Sequence, residues 1–364
     1  MKKISLILVI AMLAGILSGC AGTPVIYYTD CTCPVEEHQV SVQETQSAPA
    51  PTEAVVAEGA LKTGMYISTG ISDSKDATAE ENGEGKYDVT MVAVLVDEAG
   101  IIRDCIIDGI STSVKFDASG AVTSDLAAAP QTKNELGENY GMVAWGGAIA
   151  EWDAQAAALA SFAVGKTVEE LKNGAIDDTG KAPAGSDLAS SATIYLGGYV
   201  SAIEMAVQRA LPLGAQSGDV LKLAATTAID SSKNADAENA GNAQLDVNVT
   251  ALTVNGDTIT SCVIDAVQAK VAFDAAGKIT SPVLDPVKTK NELGADYGMV
   301  AWGGAIAEWN QQAASFATYV TGKTPAEVAG IAVDEGTKPT DVDLASSVTI
   351  AIGGFQALIA KAAQ

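Results

Sequence analysis

The sequence predicts an α+β fold: two tandem copies of a domain in which an antiparallel sheet packs against helices. Three observations predict it. Long stretches of sequence recur once, at an offset of 156–158 residues. Within each copy, period-two alternation of apolar residues comes first and helical spacing follows. Glycine-containing turns separate the alternating runs.

The recurrence is extensive. Thr132–Gly137 returns as Thr289–Gly294, and Tyr140–Trp152 returns unchanged as Tyr297–Trp309. Val114–Gly120 matches Val271–Gly277, and Asp187–Thr193 matches Asp343–Thr349. So long a period means duplicated domains, not a solenoid. The copies are placed at residues 61–213 and 217–364, with the segment 211–218 joining them.

In the first copy Tyr87–Val96 alternates Val89, Met91, Ala93 and Leu95 against its other face, which predicts a strand. Ala99 and Gly100 turn the chain into a second strand, Ile101–Ile110. Phe116 and Val122 flank a third turn at Ala118–Gly120. The second copy repeats this with Val247–Val254, the Asn255-Gly256 turn and Ile259–Val267. Asn-Gly favours a hairpin because both positions accept positive φ. A helix is expected over Ala148–Val164, with Ile149, Trp152, Ala156, Leu159 and Ala163 at helical spacing. Thr167 with Glu170, and Thr324 with Glu327 behind Pro325, predict capping boxes. Last helices are expected near Tyr195–Ala210 and Ala351–Ala362.

The N-terminus predicts export. Lys2 and Lys3 precede an apolar run from Ile4 to Ile16, the length of a signal-peptide core. It ends at Leu17-Ser18-Gly19-Cys20, which resembles a bacterial lipobox. Residues 1–19 are therefore expected to be a lipoprotein signal peptide, and Cys20 the lipidation site. Acyl chains there would anchor the protein to the cell membrane on its extracytoplasmic face. Residues 20–60 complete a tether rich in Pro, Glu, Gln, Ala and Ser.

Composition removes several kinds of chemistry. The net charge of −24 argues against nucleic acid and against adhesion to anionic lipid. The single histidine, His38, lies in the tether, so histidine-based acid–base catalysis and His-rich metal sites are excluded. No Cys-x-x-Cys-His motif is present for c-type haem. Of the five cysteines, Cys31 and Cys33 have poor disulfide spacing, and Cys105 and Cys262 occupy equivalent positions expected to be buried.

Two constellations remain. In the first, Tyr140, Trp145 and Trp152, with Tyr297, Trp302 and Trp309 in the other copy, offer walls for a flat aromatic ligand. The alternative is that these aromatics form each domain's core seam. The second is Asp187, Ser190 and Thr193, repeated as Asp343, Ser346 and Thr349, ahead of a helix. Hydroxyls beside free backbone N–H groups at a helix start suit a phosphate. Plain N-capping by the aspartates is the alternative.

The Asp187–Thr193 run resembles the attachment motif of the FMN-binding domain family, typically Asp-x-x-Ser/Thr-Gly-Ala-Thr. That family includes covalently flavinylated lipoproteins of extracellular electron transfer. The whole of both copies also resembles tandem-repeat lipoproteins of anaerobic Gram-positive bacteria. The resemblance implies FMN joined by a phosphoester to Thr193 and Thr349, with Asp187 and Asp343 as motif acids and Ser190 and Ser346 as motif hydroxyls. It implies two partners, a flavin transferase and a membrane redox protein. Ser191 and Ser347 stand where the family motif has Gly, and Val348 where it has Ala.

Three functions follow as expectations. The first is a membrane-anchored flavin-based electron carrier, a redox carrier rather than a catalyst. The second is a non-enzymatic surface binding or scaffold lipoprotein that has lost flavin attachment. The third, a solute receptor, requires alternating α/β patterning that this chain lacks.

Overall fold

A computed structural model describes residues 59–364. The expected signal peptide, Cys20, Cys31, Cys33, His38 and all but the end of the tether lie outside the described residues.

The chain forms two three-stranded antiparallel sheets with helices between and after them. The first sheet holds β1 (Lys62–Gly70), β2 (Gly83–Val96) and β3 (Ile102–Phe116) in that order. Short helical segments α1 (Lys133–Leu136) and α2 (Met142–Gly146) follow. Next come α3 (Trp152–Ala163), α4 (Val168–Ala175) and α5 (Gly197–Gln208). The second sheet holds β4 (Val220–Ala228), β5 (Gly241–Asn255) and β6 (Thr258–Phe273). It is followed by α6 (Lys290–Leu293), α7 (Met299–Gly303), α8 (Trp309–Val320), α9 (Pro325–Ala329), α10 (Val342–Ala345) and α11 (Gly353–Ala362).

The alternation in β2 sorts its side chains onto two cores. Val89, Met91, Ala93 and Leu95 face the other sheet, while Val92, Val94 and Val96 face α3, α4 and α5. Both faces are apolar because both are covered. The expected strands are present, and each sheet gains a first strand, β1 or β4, that sequence analysis did not assign. Gly64 explains part of this. In β1 its missing side chain lets the strand touch the α5 backbone, where a Cβ would lie 2.1 Å from the Ala206 carbonyl oxygen.

The helix expected from Ala148 begins only at Trp152. Glu151 is extended at its N-cap, and its carboxylate accepts hydrogen bonds from the Met142 and Val143 N–H groups at 2.8 and 2.9 Å. Ile149, expected on the buried face, therefore sits on an exposed turn. Both predicted capping boxes are present. Thr132 with Glu135, and Thr289 with Glu292, form two more.

The inner faces of the two sheets share one hydrophobic core. At its end Phe116 and Phe273 stack with ring centroids 3.9 Å apart and planes within 3°. Contacts between the halves are exchanged in both directions. Ala77 N–H donates to the Gly277 carbonyl, and Ala235 N–H to the Gly120 carbonyl, at 2.8 and 2.7 Å. Both glycines have positive φ, and a Cβ on Gly277 would lie 2.5 Å from the Asp117 carbonyl oxygen. Arg209 pairs with Glu292, and Lys361 with Glu135.

Candidate functional site

The run Thr132–Gly137 makes a cationic corner. Thr132 caps α1, and Asn134 ties it to β3 by donating from Nδ2 to the Ile107 carbonyl at 3.0 Å. Asp108, buried in β3, accepts from the N–H groups of Gly109 and Asn134 at 2.7 and 3.1 Å. Burial raises the Asp108 pKa above the usual carboxylate range, and these donors oppose the rise. With α1 so fixed, the Lys133 ammonium stands 5.2 Å from the Tyr140 ring centre and 4.8 Å from that of Trp152.

These aromatics line a groove of about 390 Å³ that also touches Ile194, Tyr195 and Tyr199. Its size lies within the usual range for small-molecule sites. Trp152 is nearly buried and donates from Nε1 to the Tyr199 hydroxyl at 3.0 Å, with the two rings edge to face. Partial burial pushes the Tyr140 phenol pKa up. Thr193 immediately precedes the groove residues Ile194 and Tyr195, and is itself exposed.

The segment leading to Thr193 differs from the expected helix start. Leu188–Ser190 is a single 3₁₀ turn, and α5 begins only at Gly197. The backbone donors near Thr193 are occupied. Gln155, fully buried on α3, accepts from Thr193 N–H at 2.8 Å and Ile194 N–H at 3.2 Å. Its Nε2 is anchored on the Ala150 carbonyl at 2.8 Å. The Asp187 side chain makes no cap, and Ser190 Oγ donates to the Asp187 main-chain carbonyl at 2.6 Å.

The second half repeats most of this with different accessories. Gln312 accepts from Thr349 and Ile350 N–H groups at 2.8 and 3.2 Å. Asp341, not Asp343, caps α10, and Ser346 Oγ donates to the Asp343 carbonyl. Lys290 stands 4.9 Å from the Tyr297 ring centre and 4.8 Å from that of Trp309. Trp309 meets Phe355 edge to face, so the hydroxyl that Tyr199 supplies is absent. Ala351 occupies the place of Tyr195. Thr349 is only partly exposed.

Trp145 and Trp302 do not join either aromatic cluster. Each projects from a short turn and is 91% or 90% exposed. Gly141 permits this: its φ is +80°, and a Cβ there would lie 2.4 Å from Trp145 Cδ1. Gly298 stands in the same relation to Trp302.

Sequence analysis missed Lys133, Gln155, Ile194, Tyr195 and Tyr199, and Gln312 and Lys290 in the second half. A signal existed for four of them. Lys133 and Lys290 lie inside the repeated Thr132–Gly137 run, and Gln155 and Gln312 each follow the repeated tryptophan by three positions. Cys105 and Cys262 are buried and free, and burial pushes the Cys262 thiol pKa up to about 12. Among the described residues no group of three or more His, Cys, Asp or Glu side chains is arranged to hold a metal ion, and no helix is long and apolar enough to cross a membrane. Comparison with protein-family models, with curated proteins and with solved structures finds no match to this chain.

Proposed function

We propose that the chain is a lipoprotein anchored through Cys20 on the extracytoplasmic face of the cell membrane, and that it carries flavin in tandem FMN-binding-like domains. The copies are residues 61–213 and 217–364. The protein is a redox carrier whose partners are a flavin transferase and a membrane electron donor or acceptor.

One observation carries the reading. Thr193, the motif threonine, is exposed and immediately precedes Ile194 and Tyr195, which line a groove with Tyr140, Trp152 and Tyr199. The lining suits an isoalloxazine ring, which needs flat apolar walls. Thr193 Oγ1 lies 3.3 Å from Gln155 Oε1, so the glutamine orients the hydroxyl as well as the backbone around it. Lys133 adds the groove's positive charge. FMN bound there supplies reversible electron transfer at its ring. The protein's share is to fix Thr193 through Gln155 and to hold Tyr140 and Trp152 about the Lys133 ammonium. Thr349 is the second attachment position, with Tyr297 and Trp309 beside it. It has the poorer surroundings, lacking counterparts to Tyr195 and to the Tyr199 hydroxyl.

A second reading rests on a different observation. Gln155 and Gln312 already take the backbone donors that a phosphate at these threonines would use. That favours a binding or scaffold lipoprotein that keeps the domain without attached flavin. Co-expression with a flavin transferase separates the two. The carrier reading predicts flavin absorbance that survives denaturation and is largely lost in Thr193→Ala. A colourless protein that also fails to take up free FMN would leave the scaffold reading.

A further inference from the structure

We infer that the turns carrying Trp145 and Trp302 are interfacial anchors that dip into the surface of a lipid bilayer. The run Gly141–Ala150 and its copy Gly298–Ala307 are identical. Each projects its tryptophan together with a valine, Val143 or Val300, and an isoleucine, Ile149 or Ile306, all exposed. A single exposed apolar side chain needs no explanation, but three on one short turn, repeated in the other half, form a patch.

The turns are built to hold that pose. The Trp145 ring lies against Gly141, where a Cβ would come within 2.4 Å of Cδ1, and the Trp302 ring lies against Gly298 in the same way. The backbone beneath is closed on itself. The Trp145, Gly147 and Ala148 N–H groups donate to the Gly141, Val143 and Met142 carbonyls. The Met142 and Val143 N–H groups donate to the Glu151 carboxylate, which is thereby engaged within the turn. Trp302, Gly304, Ala305 and Glu308 repeat the pattern.

These features favour a bilayer over a protein partner. From Gly141 to Ala150 no side chain carries a nitrogen or oxygen except the indole of Trp145. Protein interfaces carry about one hydrogen bond per 100–200 Å². Lipid demands the reverse, apolar side chains on a backbone satisfied internally. Indole suits the headgroup level, with its ring in the apolar boundary and its N–H toward water. The surroundings of the two turns also differ. The groove that Met142 helps to line has Tyr195 and Tyr199 where the second half has Ala351 and Phe355. A folded partner would meet two different footprints, whereas a bilayer reads only the shared apolar tip. The inference rests on the lipid-anchored reading for proximity alone. The expected tether, residues 20–60, spans about 35 Å and so raises the effective concentration of the turns at the membrane. The net charge of −24 repels anionic lipid, so the attraction is apolar and insensitive to salt on neutral vesicles.

The test holds the chain from Ala21 onward on phosphatidylcholine vesicles, through a histidine tag in place of Cys20 and a nickel-chelating lipid. Tryptophan emission is compared with and without bromine on the lipid acyl chains near the headgroup. Brominated lipid should quench the emission. Trp145→Ala with Trp302→Ala should abolish the quenching, since Trp152 and Trp309 are nearly buried. Each single change should remove part of it. Ile149→Glu with Ile306→Glu keeps both tryptophans and should reduce quenching by about tenfold or more, at unchanged circular dichroism. Added salt should leave the quenching as it is. Unquenched wild-type protein, quenching that persists without Trp145 and Trp302, or quenching that salt removes overturns the proposal. So does self-association through these turns in protein that lipid leaves unquenched. Acylation of Cys20 is read separately, by mass spectrometry of protein made in cells, so the two readings fail independently.

Discussion

Removing one ring of the Phe116–Phe273 stack tests whether the halves are thermodynamically one unit. Both side chains are fully buried in the core shared by the two sheets. Phe→Ala at such a site costs about 3–5 kcal/mol, transfer and cavity included. Face contact between the rings adds about 0.5–1.5 kcal/mol beyond area. Phe116→Ala and Phe273→Ala should each lower stability by about 3–5 kcal/mol, and the double variant by less than the sum. The deficit should be about 1 kcal/mol, because either single change already loses the stack. The assay is urea unfolding followed by fluorescence, with Trp309→Phe leaving Trp152 as the buried reporter in the first half and Trp152→Phe leaving Trp309 in the second. Both reporters should give one transition, and Phe273→Ala should shift the Trp152 transition although it lies in the other half. Two separate transitions, or an effect of Phe273→Ala confined to Trp309, would refute the shared core as a unit of stability.

Other consequences are simpler to measure. Burial raises the Asp265 pKa to about 6, so its ionisation costs folded-state stability. The folded state binds the proton more tightly than the unfolded chain, whose carboxylate has a pKa near 3.9. The contribution of this one carboxyl to stability should therefore fall by roughly 2–3 kcal/mol as pH rises from about 4 to 6, and Asp265→Asn should remove it. Stability curves of the two proteins that stay parallel through this range would contradict it. Gln155→Leu strips the acceptor from the Thr193 and Ile194 N–H groups and should cost about 1–3 kcal/mol. Hydrogen exchange at those two amides should accelerate, and unchanged exchange would mean that Gln155 does not hold the segment. Replacing Trp145 and Trp302 together by Phe should change stability by less than about 0.5 kcal/mol, as exposed positions do. The remaining emission, from buried Trp152 and Trp309, should move to shorter wavelength and resist acrylamide quenching; an unmoved spectrum would place Trp145 and Trp302 out of solvent.

The central strands were legible because alternation is a local property. Val89, Met91, Ala93 and Leu95 mark one face of β2 in any context. β1 and β4 were not legible because their partners lie across the sheet. Gly64 also breaks the pattern of β1 for a reason that only the α5 backbone explains. The α3 boundary failed at Glu151, whose side chain caps an earlier turn and so keeps Ile149 outside the helix. At the candidate site, Tyr140 and Trp152 were legible from the repeat, and the structure gathers them. Trp145 shares the same block yet turns outward, because Gly141 gives its ring a place that no periodicity encodes. Gln155 was missed for a related cause. A buried glutamine on a helix reads as polar filler until the backbone donors of Thr193 and Ile194 are seen to converge on it.

The most direct test of flavin carriage at Thr193 is tandem mass spectrometry of tryptic peptides from protein made with a flavin transferase. Thr193 lies in the peptide Ala182–Arg209, and Thr349 in the peptide Thr324–Lys361, since Pro339 protects the bond after Lys338, so the two positions separate cleanly. The account predicts the Ala182–Arg209 peptide shifted by the mass of FMN less water, with the fragment series placing the addition on Thr193. It also predicts lower occupancy at Thr349. Both peptides unmodified, or flavin on a different residue, would contradict it.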